Sequence, residues 1–224
     1  EENKRRGENQ KPVYLMYDQI YWVLTFGNHT HYNPVSLRPE MKPYTIFVDG
    51  ISKSFAATGV RVGWAFGPHS IINKMKAILS HIGAWAPKAE QVATAKYLVK
   101  ENLVDAFLKD FKSNIDIRLQ GLYKGMMQLK AEGHRVDCIE PQAAIYLTLQ
   151  FDLVGKKTAD GKTLETIAQV TSYLLAEAKL AIVPFYAFGS SHNSNWYRLS
   201  VGTCKTEEIE GTISNLRSAL EKLS

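Results

Sequence analysis

The chain has 224 residues, 45% of them hydrophobic and 22% charged, which suits a globular protein with one large core or two modest ones and excludes disordered and collagen-like classes. Its net charge of +5 comes from basic residues scattered among acids, so nucleic-acid binding finds little support, and the compact run Lys4-Arg5-Arg6 reads as a solvated tail. No stretch approaches the ~20 unbroken apolar residues of a bilayer span and the N-terminus lacks the apolar segment of a secretory signal, so a soluble, cytoplasmic protein without a membrane partner is expected.

In chain order, Pro12-Val13-Tyr14-Leu15-Met16-Tyr17 reads as a buried strand, because a short apolar run rich in β-formers ends abruptly at Asp18. A second run, Tyr44-Thr45-Ile46-Phe47-Val48, ends at Asp49-Gly50, and a third, Val60 to Phe66, ends at Gly67-Pro68. Apolar strands without polar alternation suit a sheet covered on both faces, so the first half is expected to be α/β. From Ile71 to Ser80 and from Lys88 to about Leu108 the apolar spacing turns to three and four, which predicts helices, with Pro87 opening the second. That pattern continues through Ile115, Leu119, Leu122 and Met126 to Gly133, as a helix bridging two domains would.

Beyond Gly133 two short strands are expected, Arg135 to Ile139 and Ala143 to Phe151, with Pro141 between them. A helix from about Leu164 to Ala178, strands at Ala181-Ile182-Val183 and Trp196 to Val201, and a last helix opened by Thr206-Glu207-Glu208 complete a small α+β domain. The division expected is 1–115 for part of a larger α/β domain and 116–224 for the smaller one. Cys138 and Cys204 lie far apart without a second metal-type ligand nearby, which suggests free thiols and neither a disulfide framework nor a zinc site.

The segment richest in chemistry runs from Ser52 to Trp64, Ser-Lys-Ser-Phe-Ala-Ala-Thr-Gly-Val-Arg-Val-Gly-Trp. A lysine just past a buried strand and an arginine eight positions later, with small residues between, form a turn that can aim two cations at one anion. An arginine entering a buried strand needs a partner, since an unpaired charge there costs roughly several kcal/mol. A phosphate would serve, because guanidinium and backbone N–H groups match its geometry. The bland reading is a surface lysine on a glycine-rich loop beside a structural arginine.

This run resembles the cofactor-lysine motif S-K-x-x-x-x-x-G-x-R-x-G of the fold-type I, class I/II aminotransferases, the aspartate aminotransferase superfamily. The resemblance implies a pyridoxal 5′-phosphate (PLP) enzyme in which Lys53 forms the Schiff base with PLP and Arg61, with the Ser52 hydroxyl, binds its phosphate. Tyr17-Asp18-Gln19-Ile20-Tyr21 resembles the family's D-E-x-Y element, 35 residues before Lys53. By that resemblance Asp18 is the buried carboxylate that keeps the pyridine nitrogen protonated, and Tyr21 donates to the cofactor's phenolic oxygen. Taken alone, Asp18 reads as a helix cap. Val183-Pro184-Phe185-Tyr186-Ala187-Phe188-Gly189 and Trp196-Tyr197-Arg198-Leu199-Ser200 resemble the V-P-G-x-x-F-G and Y-x-R-L-S elements, which implies that Arg198 binds the substrate's α-carboxylate. Its bland reading is an arginine on an edge strand paired with a surface acid.

The chain departs from the pattern in Phe185, where the family has glycine, which leaves substrate size open, and in Gly50, where a serine is frequent, so that one phosphate hydrogen bond is expected to be missing. Pro141-Gln142-Ala143-Ala144-Ile145-Tyr146 resembles P-x-G-A-x-Y and reads as structural. The family's Asn-Pro-x-Gly element should precede Asp18, so Asn33-Pro34-Val35-Ser36 reads as a loop turn and a decoy. The resemblance implies the C-terminal portion of such an enzyme without its N-terminal half. Tyr14, Leu15, Phe47 and Val48 are then expected to expose apolar faces along an uncovered sheet edge, so that either the remainder of the enzyme lies outside this sequence or the chains associate strongly, and the chain alone is expected to be inactive.

The activity implied is ping-pong transfer of an amino group between an amino acid and a 2-oxo acid, with Lys53 as nucleophile and general acid/base, in a homodimer. Two alternatives stand beside it: a PLP-dependent lyase or decarboxylase on the same scaffold, and a non-catalytic PLP-binding regulatory fragment.

Overall fold

The computed structural model describes residues 1–6 and 10–224. They form two compact units, Glu1–Phe111 and Lys112–Ser224. In the first, α1 (Glu2–Arg5), β1 (Leu15–Asp18), α2 (Pro34–Leu37), β2 (Thr45–Gly50), α3 (Ile51–Ser54), β3 (Gly63–Phe66), α4 (His69–Ile82) and α5 (Lys88–Leu98) precede α6 (Glu101–Ala131), within which the boundary falls.

The sheet of this unit has the order β1-β2-β3. Strand β1 runs parallel to β2 with Asp18 opposite Val48, and β2 runs antiparallel to β3 with Gly50 opposite Gly63. The carboxyl ends of β1 and β2 therefore share one edge with the amino end of β3, the edge at which ligands gather in sheets of this kind.

Only β2 meets the expectation of burial, because it alone has a strand on each side. Along β1 and β3 large side chains stay exposed, Met16 at 71% and Phe66 at 47%. Tyr14 and Leu15 are exposed as expected, but Phe47 is not. Its ring stacks on Phe66 at 4.7 Å and meets the Tyr17 ring edge-on at 5.7 Å. Strand β3 starts at Gly63, later than the apolar run suggested, because Thr58–Val60 forms a 3-10 turn.

The helical pattern from Lys88 is interrupted at Val99-Lys100. The Lys100 N–H closes a tight turn onto the Tyr97 carbonyl, and the Lys100 carbonyl then accepts from Leu103 and Val104 to start α6. Glu101 in that first turn complements the helix dipole. Phe55, at the end of α3, stacks on Phe107 of α6 at 5.7 Å and meets Tyr97 of α5 edge-on at 5.9 Å, which anchors the short helix carrying Lys53.

The second unit continues with β4 (Val136–Ile139), β5 (Tyr146–Phe151), α7 (Ile167–Ala178), β6 (Val183–Pro184), β7 (Trp196–Ser200) and α8 (Ile209–Glu221). Its sheet, of order β4-β5-β7-β6, is antiparallel throughout. Alternation along β5 and β7 buries Leu147, Leu149, Phe151, Tyr197 and Leu199, while Tyr146, Thr148, Gln150, Trp196 and Arg198 share the opposite face. The core is completed by Leu119, Leu122 and Met126 of α6, Val170 and Leu174 of α7, and Leu216 and Leu220 of α8.

Element ends shift for local reasons. Helix α7 starts at Ile167 because the Thr166 hydroxyl caps it, accepting from the Gln169 N–H while the Gln169 side chain accepts from the Thr166 N–H. Strand β5 starts at Tyr146 because Ala144 turns the chain at φ 64°, and β6 stops at Pro184, which has no N–H for the ladder. Among the described residues no helix is long and apolar enough to cross a membrane.

Candidate active site

Asp18 is the last residue of β1, and Lys53 lies in the helix that begins directly after β2. Since the two strands are parallel with Asp18 opposite Val48, the carboxylate and the lysine emerge at the same end of the sheet. Arg61 is brought to that edge from the other side: the Ile51 N–H donates to the Val62 carbonyl at 3.3 Å, which places residue 61 next to the start of α3. The hairpin between the two cations is held by the Ser54 hydroxyl donating to the Gly50 carbonyl (3.0 Å) and the Thr58 hydroxyl donating to the Ser52 carbonyl (3.0 Å).

Arg61 is not buried in a strand, as the pattern suggested. It precedes β3, is exposed, and takes a left-handed conformation at φ 60°. Its guanidinium donates to the Thr58 carbonyl at 2.8 Å, which uses one of its five N–H groups and orients the rest. Lys53 and Ser52 are half-buried, and neither the ammonium nor the hydroxyl is hydrogen-bonded to another described residue.

Asp18 likewise differs from expectation: it is exposed, not buried, and no regular helix follows for it to cap. One carboxylate oxygen accepts from the Ile20 N–H at 3.1 Å in a turn, and the other takes no hydrogen bond among the described residues. Tyr21, half-buried, sits in the same turn, where its carbonyl accepts from the Leu24 N–H.

Two residues that sequence reasoning passed over hold this turn in place. The Gln19 N–H extends the β1–β2 ladder to the Val48 carbonyl (3.0 Å), and its side-chain amide donates to Asp49 at 3.1 Å. Asp49 is buried and also accepts from the Gly50 N–H at 2.7 Å. The only signal available was the polar pair itself, Gln19 beside Asp18 and Asp49 after an apolar run. Asn33 is the cap of α2, accepting from the Val35 and Ser36 N–H groups, so the decoy motif is a helix start instead of a plain loop turn.

The donor set at the edge suits PLP chemically. A primary amine is available for an aldehyde, a guanidinium and a hydroxyl for a phosphate, and a carboxylate oxygen for a protonated ring nitrogen.

Arg198 belongs to the second unit. Strand β7 lies between β5 and β6, so Arg198 is on an inner strand, and among the described residues no acid pairs with it. Its guanidinium carbon lies 4.4 Å from the centroid of the Tyr146 ring and 4.2 Å from that of Phe188. Phe185, the departure from the expected glycine, opens the 3-10 turn that carries Phe188 and meets its ring edge-on at 6.3 Å.

The family model for aminotransferase class I and II matches residues 8–216. The chain belongs to this family. Among curated class I and II relatives, the aspartate aminotransferase of Rhizobium meliloti is 29% identical over 213 residues, covering 95% of this chain and 49% of the relative. The aspartate aminotransferase of Geobacillus stearothermophilus is 30% identical over 210 residues, covering 93% and 49% respectively. In structure, the chain is similar to the Rhizobium meliloti aspartate aminotransferase, with a TM-score of 0.79 at 28% identity over 95% of this chain and 50% of that one. It is also similar to the aromatic aminotransferase of Pyrococcus horikoshii, with a TM-score of 0.80 at 25% identity over 93% and 51%. The chain thus spans about half the length of the aminotransferases it matches.

Proposed function

We propose that this chain carries the PLP-binding lysine of an aminotransferase that moves an amino group between an amino acid and a 2-oxo acid. The observation that carries the reading is that strand register and the Ile51–Val62 hydrogen bond bring the backbone of Asp18, Ser52, Lys53 and Arg61 to the same end of the first sheet. Bound there, PLP supplies an electron sink for charge developing at the substrate's Cα.

In this reading the Lys53 ε-amino group would hold the cofactor's aldehyde end and, when free, would carry a proton to and from the substrate. Arg61 and Ser52 fix the phosphate end. Asp18 would hold the ring nitrogen in its protonated form, and Tyr21 would donate to the phenolic oxygen. Arg198 takes the carboxylate of the amino acid or 2-oxo acid as a bidentate pair. The reading extends to a homodimer in the cytoplasm, in keeping with the family resemblance.

The test uses the full-length protein loaded with PLP. Reduction with borohydride followed by digestion should leave the cofactor on the peptide containing Lys53, and Lys53→Ala should lose both that label and the exchange of amino groups. A label on another lysine, or equal labelling of Lys53→Ala, would refute the assignment. Release of ammonia or carbon dioxide in place of a new amino acid would mark a lyase or decarboxylase.

A further inference from the structure

Arg198 is held by more than its own strand. In the register of β5 and β7 it stands opposite Thr148, so Tyr146, two residues along β5, is its diagonal neighbour on the same face. On the other side of β7, Arg198 pairs with Val183 of β6, and the turn leaving β6 carries Phe188. One ring thus reaches the guanidinium from β5 and one from the turn after β6, at 4.4 Å and 4.2 Å.

The Phe188 ring is itself supported. Its turn is closed by Gly189 at φ 90°, whose N–H donates to the Tyr186 carbonyl (3.1 Å), and by the Ser190 N–H donating to the Phe185 carbonyl (3.3 Å). Phe185 braces the Phe188 ring edge-on. An aromatic side chain that is 53% exposed yet backed by a second phenylalanine has its position set by something other than core packing.

We propose that Tyr146 and Phe188 are positioning residues that clamp Arg198 for carboxylate binding, with Phe185 as the brace. This rests on the reading of Arg198 as the ligand of the substrate carboxylate. A guanidinium binds a carboxylate through the N–H groups in its plane, while aromatic rings occupy its faces. Rings over the faces leave the N–H edge open, remove water from the cation, and hold a flexible side chain in one orientation, so less freedom is lost when the anion arrives. Phe185, the departure from the family's glycine that left substrate size open, then serves to hold Phe188 upright.

The experiment uses the full-length, PLP-loaded protein with propionate as a non-reacting carboxylate. Phe188→Leu and Tyr146→Leu should each raise the propionate inhibition constant and the KM for amino acid and 2-oxo acid by about tenfold, the scale of a cation–π contact between the exposed and the desolvated limits. The turnover number and the near-visible absorbance of bound PLP should change little, and the ring-preserving Phe188→Tyr and Tyr146→Phe should restore binding. Should Tyr146→Leu fail to fold, the exposed Phe188 decides the matter alone. Unchanged propionate inhibition in Phe188→Leu overturns the clamp. Arg198→Lys separates the two readings: if it weakens propionate binding while the ring variants do not, the clamp alone fails, and if it too has no effect, the assignment of Arg198 fails with it.

Discussion

Gly50 and Val62 approach so closely that no side chain fits between them: a Cβ on Gly50 would lie 2.9 Å from the Val62 carbonyl oxygen and 3.0 Å from the Gly63 Cα. Both obstacles are backbone. The glycine that stands where a serine was expected is therefore required by the pairing of β2 with β3, whatever it removes from a phosphate site. Gly50→Ala is expected to push those strands apart, destabilising the protein by about 1–3 kcal/mol, and, on the proposed function, to weaken PLP binding by displacing Arg61 from α3. Gly59→Ala, with nothing within 4 Å of its Cβ, is the control for stability. Equal urea midpoints for the two variants would show that the close approach is not what Gly50 provides.

Helix α6 meets α8 at a second such point. A Cβ on Gly125 would overlap Cγ1 of Ile213, and one on Gly121 would stand 3.0 Å from Cδ1 of Ile209. Ile213 is buried and cannot swing out to solvent without exposing apolar surface. Gly125→Ala should cost about 1–3 kcal/mol and Gly121→Ala less, because Cδ1 is the mobile end of a side chain. Thermal or urea unfolding gives the order, and a reversed order would contradict the packing described.

Acid should loosen the second unit through its carboxylates. The Arg217 hydrogen bonds hold Glu132 below its ordinary value of 4.5, and Lys130 holds Asp137 below 3.8. Asp160, bonded to Lys162 and Thr158, is lowered to about 2. A group lowered in the folded state stabilises it above its unfolded value, and that contribution is lost as pH falls through the folded one. Stability should therefore decline from about pH 4.5 toward pH 2. Glu132→Gln should be less stable than the parent at neutral pH, with the gap closing in acid. Urea midpoints across this range check it, and a gap that stays constant would show that Glu132 does not contribute through its charge.

The two cysteines should differ in reactivity. Burial, with the Asp137 carboxylate adding to it, pushes the Cys138 thiol up to about 12, so it stays protonated and a poor nucleophile at neutral pH. Cys204, half-exposed, is raised less far by its smaller burial. An aromatic disulfide reagent should label Cys204 slowly and reach Cys138 only once the chain unfolds. Labelling of Cys138 in the folded protein, read by peptide mass, would contradict its burial.

Ser52, Lys53 and Arg61 could be found in the residues alone because they sit within ten positions of one another, and a short segment carries its own turn chemistry. The burial of β1 and β3 could not. An apolar run reports what a strand would bury, whereas exposure depends on whether a neighbour covers it, and these two strands are the edges of a three-stranded sheet. The same reason placed Asp18 in the open and Phe47 in the core.

Gln19 with Asp49, and Arg198 with Tyr146 and Phe188, are pairings of another kind. Each joins residues far apart in the chain whose meeting depends on strand register, and a shift of one residue would turn either partner to the other face. The residues thus specified, on their own, which amine, cation and carboxylate are proposed for the site, and most of the helices. Which acid braces the turn after β1 and which rings cover Arg198 were decided by how the strands align, because hydrogen bonds and ring contacts act over a few ångströms and no periodicity along a chain encodes that distance.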